Sequence, residues 1–245
     1  MPVISLFKFD KLPSVFEIAK VLNGQKLKDA WIVAKPSKYN KDEIFINYWY
    51  YEDVEESLNR VFSEEDGYEV VSFLKDNGKS RVLKRTYCFI SLLTKTLEIY
   101  RGPDMKTEEI VSTFEEFLKV KFASVRIEPN QLQQIYSNHS TELKQVMFTN
   151  VEGLIFNILR GNFLENNEKF RQYLQKFPDC LRAISFRPKI RFLNNFNKYQ
   201  VTLNGGKGTL RISSNSIFNW RPRYEIRQII FIVAATLGLL QTLNR

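Results

Sequence analysis

The sequence has few of the residues that most enzyme sites need. The chain of 245 residues contains one histidine, His139, and two cysteines, Cys88 and Cys180, that stand far apart. These cannot form a histidine and cysteine cluster with zinc-site spacing or a Cys-x-x-Cys redox pair, and the glycine patterns of phosphate loops and dinucleotide folds are also missing. We therefore expect no enzyme and no cofactor, with His139 in a surface loop. Only a metal-dependent nuclease with scattered carboxylate ligands stays open as an enzymatic alternative.

An apolar run long enough to cross a membrane is missing as well. The C-terminal run at 229–240, IIFIVAATLGLL, has 12 residues, whereas a bilayer core needs about 20. It predicts a long, buried C-terminal helix. The N-terminal stretch becomes charged at Lys8 before any apolar run of signal-peptide length. We therefore expect a cytoplasmic protein without a membrane partner.

Acidic residues become scarce toward the C-terminus. Residues 1–150 contain 21 Lys and Arg against 22 Asp and Glu, whereas residues 151–245 contain 15 against 5. After residue 180, eleven basic residues stand against the single acid Glu225. Such asymmetry indicates an anionic partner, because a polyanion offsets the repulsion among like charges. We expect a near-neutral, mixed α/β domain at 1–150 and a basic α+β domain at 151–245.

The apolar patterns predict an α+β fold in which helices back antiparallel sheets. In the basic part, three strands at 183–192, 199–204 and 209–214 form a meander, and a helix from about 223 to 243 follows. The sequence NGGKGT between the last two strands predicts a hairpin turn rather than a nucleotide site. Residues 152–178 are predicted as two helical pieces that meet near Gly161, and residues 68–74, YEVVSFL, as a strand.

The meander has a weak counterpart earlier in the chain. KYQVTLNGGKGTLRI can be aligned with TYCFISLLTKTLEI, and a helix is predicted after each. The pattern indicates two pseudo-repeated units of strand, strand and helix. This arrangement resembles the helix-backed saddle of TATA-binding-protein-like domains, and the resemblance implies a saddle-like fold but no particular residue or activity.

The stretch ISFRPKIRF at 184–192 places apolar and basic side chains at alternate positions. Because successive side chains of a strand point to opposite faces, the apolar set can pack under the final helix while the cations face outward. The residues predicted to form a basic surface are Arg187, Lys189, Arg191, Lys198, Lys207, Arg211, Arg221 and Arg223.

Three interpretations of this basic surface stay open. The leading one is a non-enzymatic protein that binds DNA or RNA mainly through phosphate contacts. In the second, the basic half docks on an acidic protein surface, for example Glu52–Glu69 of another copy in a homodimer. In the third, the cations only keep the protein soluble or protect an edge strand from association, because Pro188 is typical of sheet edges.

Overall fold

The computed structural model describes residues 3–58, 64–189, 199–214 and 223–241. The chain divides into two compact units, Pro13–Cys88 and a second unit made of Met1–Leu12 and Phe89–Arg245. The strands, in chain order, are β1 (Val3–Lys8), β2 (Ala30–Pro36), β3 (Glu43–Asp53), β4 (Arg81–Ser91), β5 (Thr96–Ile99), β6 (Ala123–Ser124), β7 (Ser140–Val151), β8 (Leu154–Arg160), β9 (Leu181–Pro188), β10 (Tyr199–Asn204) and β11 (Thr209–Ser214). The helices are α1 (Val15–Leu22), α2 (Val54–Leu58), α3 (Glu64–Asp76), α4 (Met105–Leu118), α5 (Pro129–His139), α6 (Glu168–Lys176) and α7 (Arg223–Thr236).

The unit Pro13–Cys88 contains the strand order β2-β3-β4 and helix α1. A capping box between Ser14 and Glu17 begins α1, and it satisfies backbone N–H groups that the first turn leaves without partners. The buried side of α1 includes Ile18 and Leu22. The predicted strand at 68–74 is wrong, because these residues lie in α3. There Val71 is buried, whereas Phe73, two positions later, is exposed, so burial does not follow the two-residue period of a strand.

The second unit contains the strand order β5-β1-β11-β10-β9-β7-β8, and β6 pairs with β1. The described pairings among these strands are antiparallel. Buried residues of α5 and α7 share one apolar core with the inward residues of β7, β9, β10 and β11. The core includes Phe148 and Phe170, whose ring centroids lie 6.3 Å apart.

The helix predicted at the start of 152–178 is wrong, because residues 154–160 form strand β8. A tight turn at Glu152 and Gly153, both with positive φ, joins β7 to β8. Such paired left-handed conformations match the twist of a hairpin. The helical part of the predicted stretch includes α6. Asn167, the residue before it, caps this helix, because its side chain accepts a hydrogen bond from Phe170 N.

The glycine-rich turn between β10 and β11 is a hairpin, as predicted. Its glycines allow residues 125–127 to cross the turn closely, and Ile127 N donates to Gly205 O at 3.1 Å. Leu6 of β1 joins the same crossing, because its N–H donates to Gly208 O and its carbonyl accepts from Val125 N, both at 2.9 Å. A Cβ atom at Gly205 or Gly208 would lie 2.2 Å from a backbone oxygen of Ile127 or Val125. This close packing explains the glycines without a bound nucleotide.

The α+β fold class with antiparallel sheets and helices is confirmed. The two aligned stretches each contain a hairpin followed by a helix, β4-β5-α4 and β10-β11-α7, and their duplication stays a prediction. The boundary by charge at residue 150 differs from the compact units: β7, which crosses it, pairs with β8 and β9, which follow it.

Candidate functional site

The strands β9, β10 and β11 use alternate side chains for two different faces. Ile184, Val201 and Leu210 are buried in the core that contains α7. Thr202, the residue after Val201, points to the other face and is partly exposed. This second face, which we call the open face, is the location predicted for the basic surface.

A row of polar side chains crosses the open face. Antiparallel pairing sets Thr202 beside Ser185 on one side and Arg211 on the other. The hydroxyl groups of Ser185 and Thr202 are 2.8 Å apart, and Gln200 Nε2 donates to Ser185 Oγ at 2.6 Å. These hydrogen bonds fix the centre of the row, which can offer hydroxyl and amide groups to a ligand.

Three of the predicted cations are exposed, one in this row and two beyond the ends of the strands that carry it. Arg211 stands at the end of the row on β11, and Lys207 is in the turn that precedes β11. Lys189 follows β9, and its Nζ donates to Asn138 O at 3.3 Å. Within the described parts of the chain, none of these three cations forms an ion pair with a carboxylate. Their charges are therefore available to an anionic ligand.

Arg187 occupies the open face but is already paired. Its Nη1 lies 3.3 Å from Oε2 of Glu142, and Lys144 Nζ lies 2.5 Å from Oε1 of the same carboxylate. Glu142 is 5% exposed, so two cations share one poorly solvated acid. The sequence predicted Arg187 as an outward cation without an acidic partner. Glu142 is 45 positions earlier in the chain, but it lies opposite Arg187 in the β7-β9 pairing.

Arg223 does not belong to the open face. Its guanidinium group forms an ion pair with Glu98, which is 1% exposed, and donates to the Tyr100 hydroxyl at 2.9 Å. The same group lies 3.7 Å from the centroid of the Phe89 ring. Hydrogen bonding and a cation–π contact thus fix Arg223 at the first residue of α7. Its role is structural: it holds the start of α7 against β5.

The other three predicted residues, Arg191, Lys198 and Arg221, lie outside the described residues. The edge-strand interpretation is wrong for β9, because β9 pairs with β7 on one side and with β10 on the other. Pro188 is the last residue of β9, a position where its missing N–H costs little. Protection of an exposed edge therefore does not account for the cations of this strand.

The histidine lies beside one of the exposed cations. The backbone N–H of Lys189 donates to His139 O at 2.8 Å. Burial lowers the pKa of His139 below its ordinary value, and the positive charge of Lys189 lowers this pKa further. Both effects favour the neutral imidazole, so His139 adds no charge to the open face near neutral pH.

Sequence reasoning missed the far end of the polar row. Gln145 of β7 lies opposite Ser185, and Arg160 of β8 lies opposite Gln145, so the row continues to a further exposed arginine. Arg160 was missed because its segment was predicted as a helix. Glu142 and Lys144 were missed because pairing of β7 with β9 involves bulges that a pattern of alternation does not reveal.

Comparisons with known proteins give no functional class. No protein-family model matches the chain, and no curated protein matches its sequence. Among the described residues there is no cluster of His, Cys, Asp and Glu side chains that could hold a metal ion. The same residues include no helix that is both long and apolar enough to cross a membrane. The fold is that of an α+β protein with antiparallel sheets. The open face is the feature of this fold that bears on function.

Proposed function

We propose that this protein binds nucleic acid through the open face of β9, β10 and β11, mainly by contacts to backbone phosphates. The observation that carries the proposal is the set of exposed cations, Lys189, Lys207 and Arg211, around the polar row. A partner with many phosphates offsets the mutual repulsion of these cations, and arginine suits bidentate phosphate contact. The hydroxyl and amide groups of Thr202 and Gln200 can add contacts to sugars or bases.

The charge distribution favours a partner that is recognised through its charge rather than its sequence. The side chains of Ser185 and Gln200 on the open face already bond to one another. Phosphate contacts supply affinity without sequence information. We therefore expect binding of similar strength to oligonucleotides of different sequence.

A fluorescence anisotropy titration tests this proposal. Labelled single-stranded and double-stranded oligonucleotides of equal length, as DNA and as RNA, are titrated with the protein at several salt concentrations. We expect binding at low salt that weakens linearly on a double-logarithmic plot, with a slope of about −0.7 to −0.9 for each phosphate contacted. No binding at low salt, or binding that salt does not change, contradicts the proposal.

Docking on an acidic protein surface is the second candidate. It is favoured by exposed acids at the start of α2, which include Asp53, Glu55 and Glu56. Lys75 already pairs with Glu55 at 2.7 Å, so this acidic surface is partly neutralised. If the second candidate is right, the protein forms complexes with itself that dissociate as salt rises, and oligonucleotides do not bind.

A further inference from the structure

One face of β2, β3 and β4 is lined with aromatic rings. Antiparallel pairing sets Trp31 of β2 opposite Trp49 of β3. Their rings are nearly parallel, with centroids 5.8 Å apart, and the ring of Phe45 stacks on that of Tyr87 at 5.9 Å. We call this surface the aromatic face and define it by Trp31, Val33 and Lys35 of β2, Phe45, Asn47, Trp49 and Tyr51 of β3, and Leu83, Arg85 and Tyr87 of β4.

The aromatic face is accessible to solvent. The alternate positions of the same strands, which include Ile32 and Tyr48, are buried in the core. On the aromatic face, Val33, Tyr51 and Leu83 are 39%, 44% and 44% exposed, and both tryptophans are partly exposed. Aromatic pairs across strands stabilise a sheet, and rings that stay at the surface can in addition stack on a flat ligand.

Two cations lie against these rings. The guanidinium carbon of Arg85 is 4.9 Å from the centroid of the Trp49 ring and 4.5 Å from that of the Tyr87 ring. The Nζ of Lys35 is 5.7 Å from the centroid of the Phe45 ring. The cation–π contacts hold both charges next to the rings.

The cations give the aromatic face a positive charge. Within the described residues, neither Arg85 nor Lys35 forms an ion pair with a carboxylate. At the two ends of β3 on the same side, Glu43 is buried, and Asp53 accepts a hydrogen bond from Glu55 N at 2.8 Å. A ligand that presents flat rings together with negative charges is therefore complementary to this face.

We propose that the aromatic face binds single-stranded nucleic acid, with bases stacked on its rings and on the guanidinium group of Arg85. Each nucleotide brings a flat base and a phosphate, which match the rings and the cations. In a duplex the faces of the bases are stacked on one another, so only a single strand can use this surface. A proline-rich peptide also suits aromatic surfaces, but its prolines offer no anion to Arg85 and Lys35.

This inference rests on the proposed function for the class of ligand, and it adds the form that is bound. The aromatic face shares no residue with the open face of β9, β10 and β11. Phosphate contacts at Lys207 and Arg211 are available to single strands and duplexes alike, whereas stacking needs unpaired bases. We therefore expect single strands to bind more tightly than duplexes of equal length, with little preference among sequences because every base has a π-face.

Tryptophan fluorescence tests the stacking directly. The chain has three tryptophans, Trp31, Trp49 and Trp220, and Trp220→Phe leaves the two of the aromatic face as reporters. We expect single-stranded oligothymidylate to quench this fluorescence over the concentrations at which it binds, because a stacked base quenches an indole ring. A duplex of equal length should bind without quenching.

The outcomes separate this inference from the proposed function. If anisotropy shows that the single strand binds while the tryptophan fluorescence stays unchanged, or if the duplex quenches equally, the inference is overturned and the proposed function stands. If neither form binds, both are overturned. If a proline-rich peptide quenches the tryptophans and the single strand does not, the aromatic face is a peptide site and the inference fails.

Substitution of the central ring measures its contribution. Trp49→Leu is expected to weaken single-strand binding about 5- to 140-fold, the range for loss of one base stack, and to leave duplex binding unchanged. Trp49→Phe, which retains a ring, should recover most of the affinity. The matched control Phe16→Leu, at an exposed aromatic residue of α1, should keep the wild-type affinity.

Circular dichroism checks that each variant folds. Trp31→Leu, on the outer strand β2, gives the same comparison if Trp49→Leu does not fold. Equal losses of affinity for single strands and duplexes in a folded variant overturn the inference, because a ring with only a structural role does not distinguish the two forms.

Discussion

Two arginines of the second unit show how differently its two sheet faces are used. Arg223 lies against Glu98, Tyr100 and Phe89, with its side chain 16% exposed. Arg211 is exposed at the end of a polar row, and no carboxylate pairs with it within the described residues. Both were predicted as parts of one basic surface. The comparison shows that the role of a cation depends on its ion pairs. A cation that pairs with a buried acid of the same chain stabilises the fold, whereas an exposed cation without such a pair can bind a ligand.

The largest effect should follow from removal of the buried cation. Arg223→Ala removes the cation that pairs with Glu98, which is 1% exposed, and loss of one partner of a buried ion pair costs about 3–5 kcal/mol. Urea denaturation followed by circular dichroism measures this free energy of unfolding. Arg211→Ala is the matched control, and we expect it to stay within about 0.5 kcal/mol of the wild type. Equal losses in the two variants would remove the distinction between them.

The hairpin that carries Lys207 should tolerate change at one glycine and not at another. Gly208 has a φ of +57° and no room for a Cβ atom beside Val125 O, so Gly208→Ala should destabilise the protein by about 2–3 kcal/mol. Gly206→Ala is the control in the same turn, since the nearest atom to its Cβ would be 3.8 Å away. Thermal unfolding of both variants checks the difference. A harmless Gly208→Ala would mean that residues 125–127 do not cross the turn as described.

Removal of the acid that pairs with Arg187 and Lys144 should strengthen oligonucleotide binding. Glu142→Gln removes the negative charge that Arg187 and Lys144 share. The affinity for an oligonucleotide should therefore rise, and the slope of its logarithm against that of salt should steepen by up to about 1. Anisotropy titrations of the variant and the wild type measure both quantities. An unchanged affinity would place Arg187 outside the binding surface.

Arg187→Glu would be a poor test of binding. The new carboxylate would face Glu142 across β7 and β9, and two like charges at opposed strand positions destabilise a sheet. Loss of binding by this variant could therefore come from disturbed pairing. Variants at Lys207 and Arg211 avoid this problem because no described carboxylate pairs with them.

The smallest effect concerns the histidine next to Lys189. Burial and then Lys189 lower the pKa of His139, so Lys189→Gln should raise this pKa toward its ordinary value, and a bound phosphate near Lys189 should do the same. His139 is the one histidine of the chain, which makes its NMR titration easy to assign. Lys38→Gln, at an exposed lysine elsewhere, should leave the pKa unchanged. A pKa that falls in Lys189→Gln would contradict the stated cause.

The fold class and the two-faced meander could be predicted because they follow from local alternation. Val201 and Leu203 alternate with Gln200 and Thr202, and the structure retains that pattern. The hairpin at Gly205 could be predicted for the same reason, because the residues that form a turn are local in the sequence.

The ion pairs could not be predicted because they depend on distant parts of the chain. Glu98 and Arg223 are 125 positions apart, and only the completed sheet brings them together. Strand β8 was missed for a different reason. Its apolar residues at 154, 155, 156, 158 and 159 fit a helical stripe as well as a strand, and short apolar runs do not separate the two by period.

The central claim is that the unpaired cations of the open face bind a polyanion, and one matched experiment tests it most directly. The salt dependence of oligonucleotide binding is measured for the wild type, for Lys207→Glu with Arg211→Glu, and for Lys38→Glu with Lys79→Glu, exposed lysines with the same total change of charge. We predict that the open-face variant binds more weakly, with a salt slope shallower by about 1–2, while the control keeps the wild-type slope. Equal slopes for the two double variants would show that net charge alone governs binding and would contradict the proposed surface.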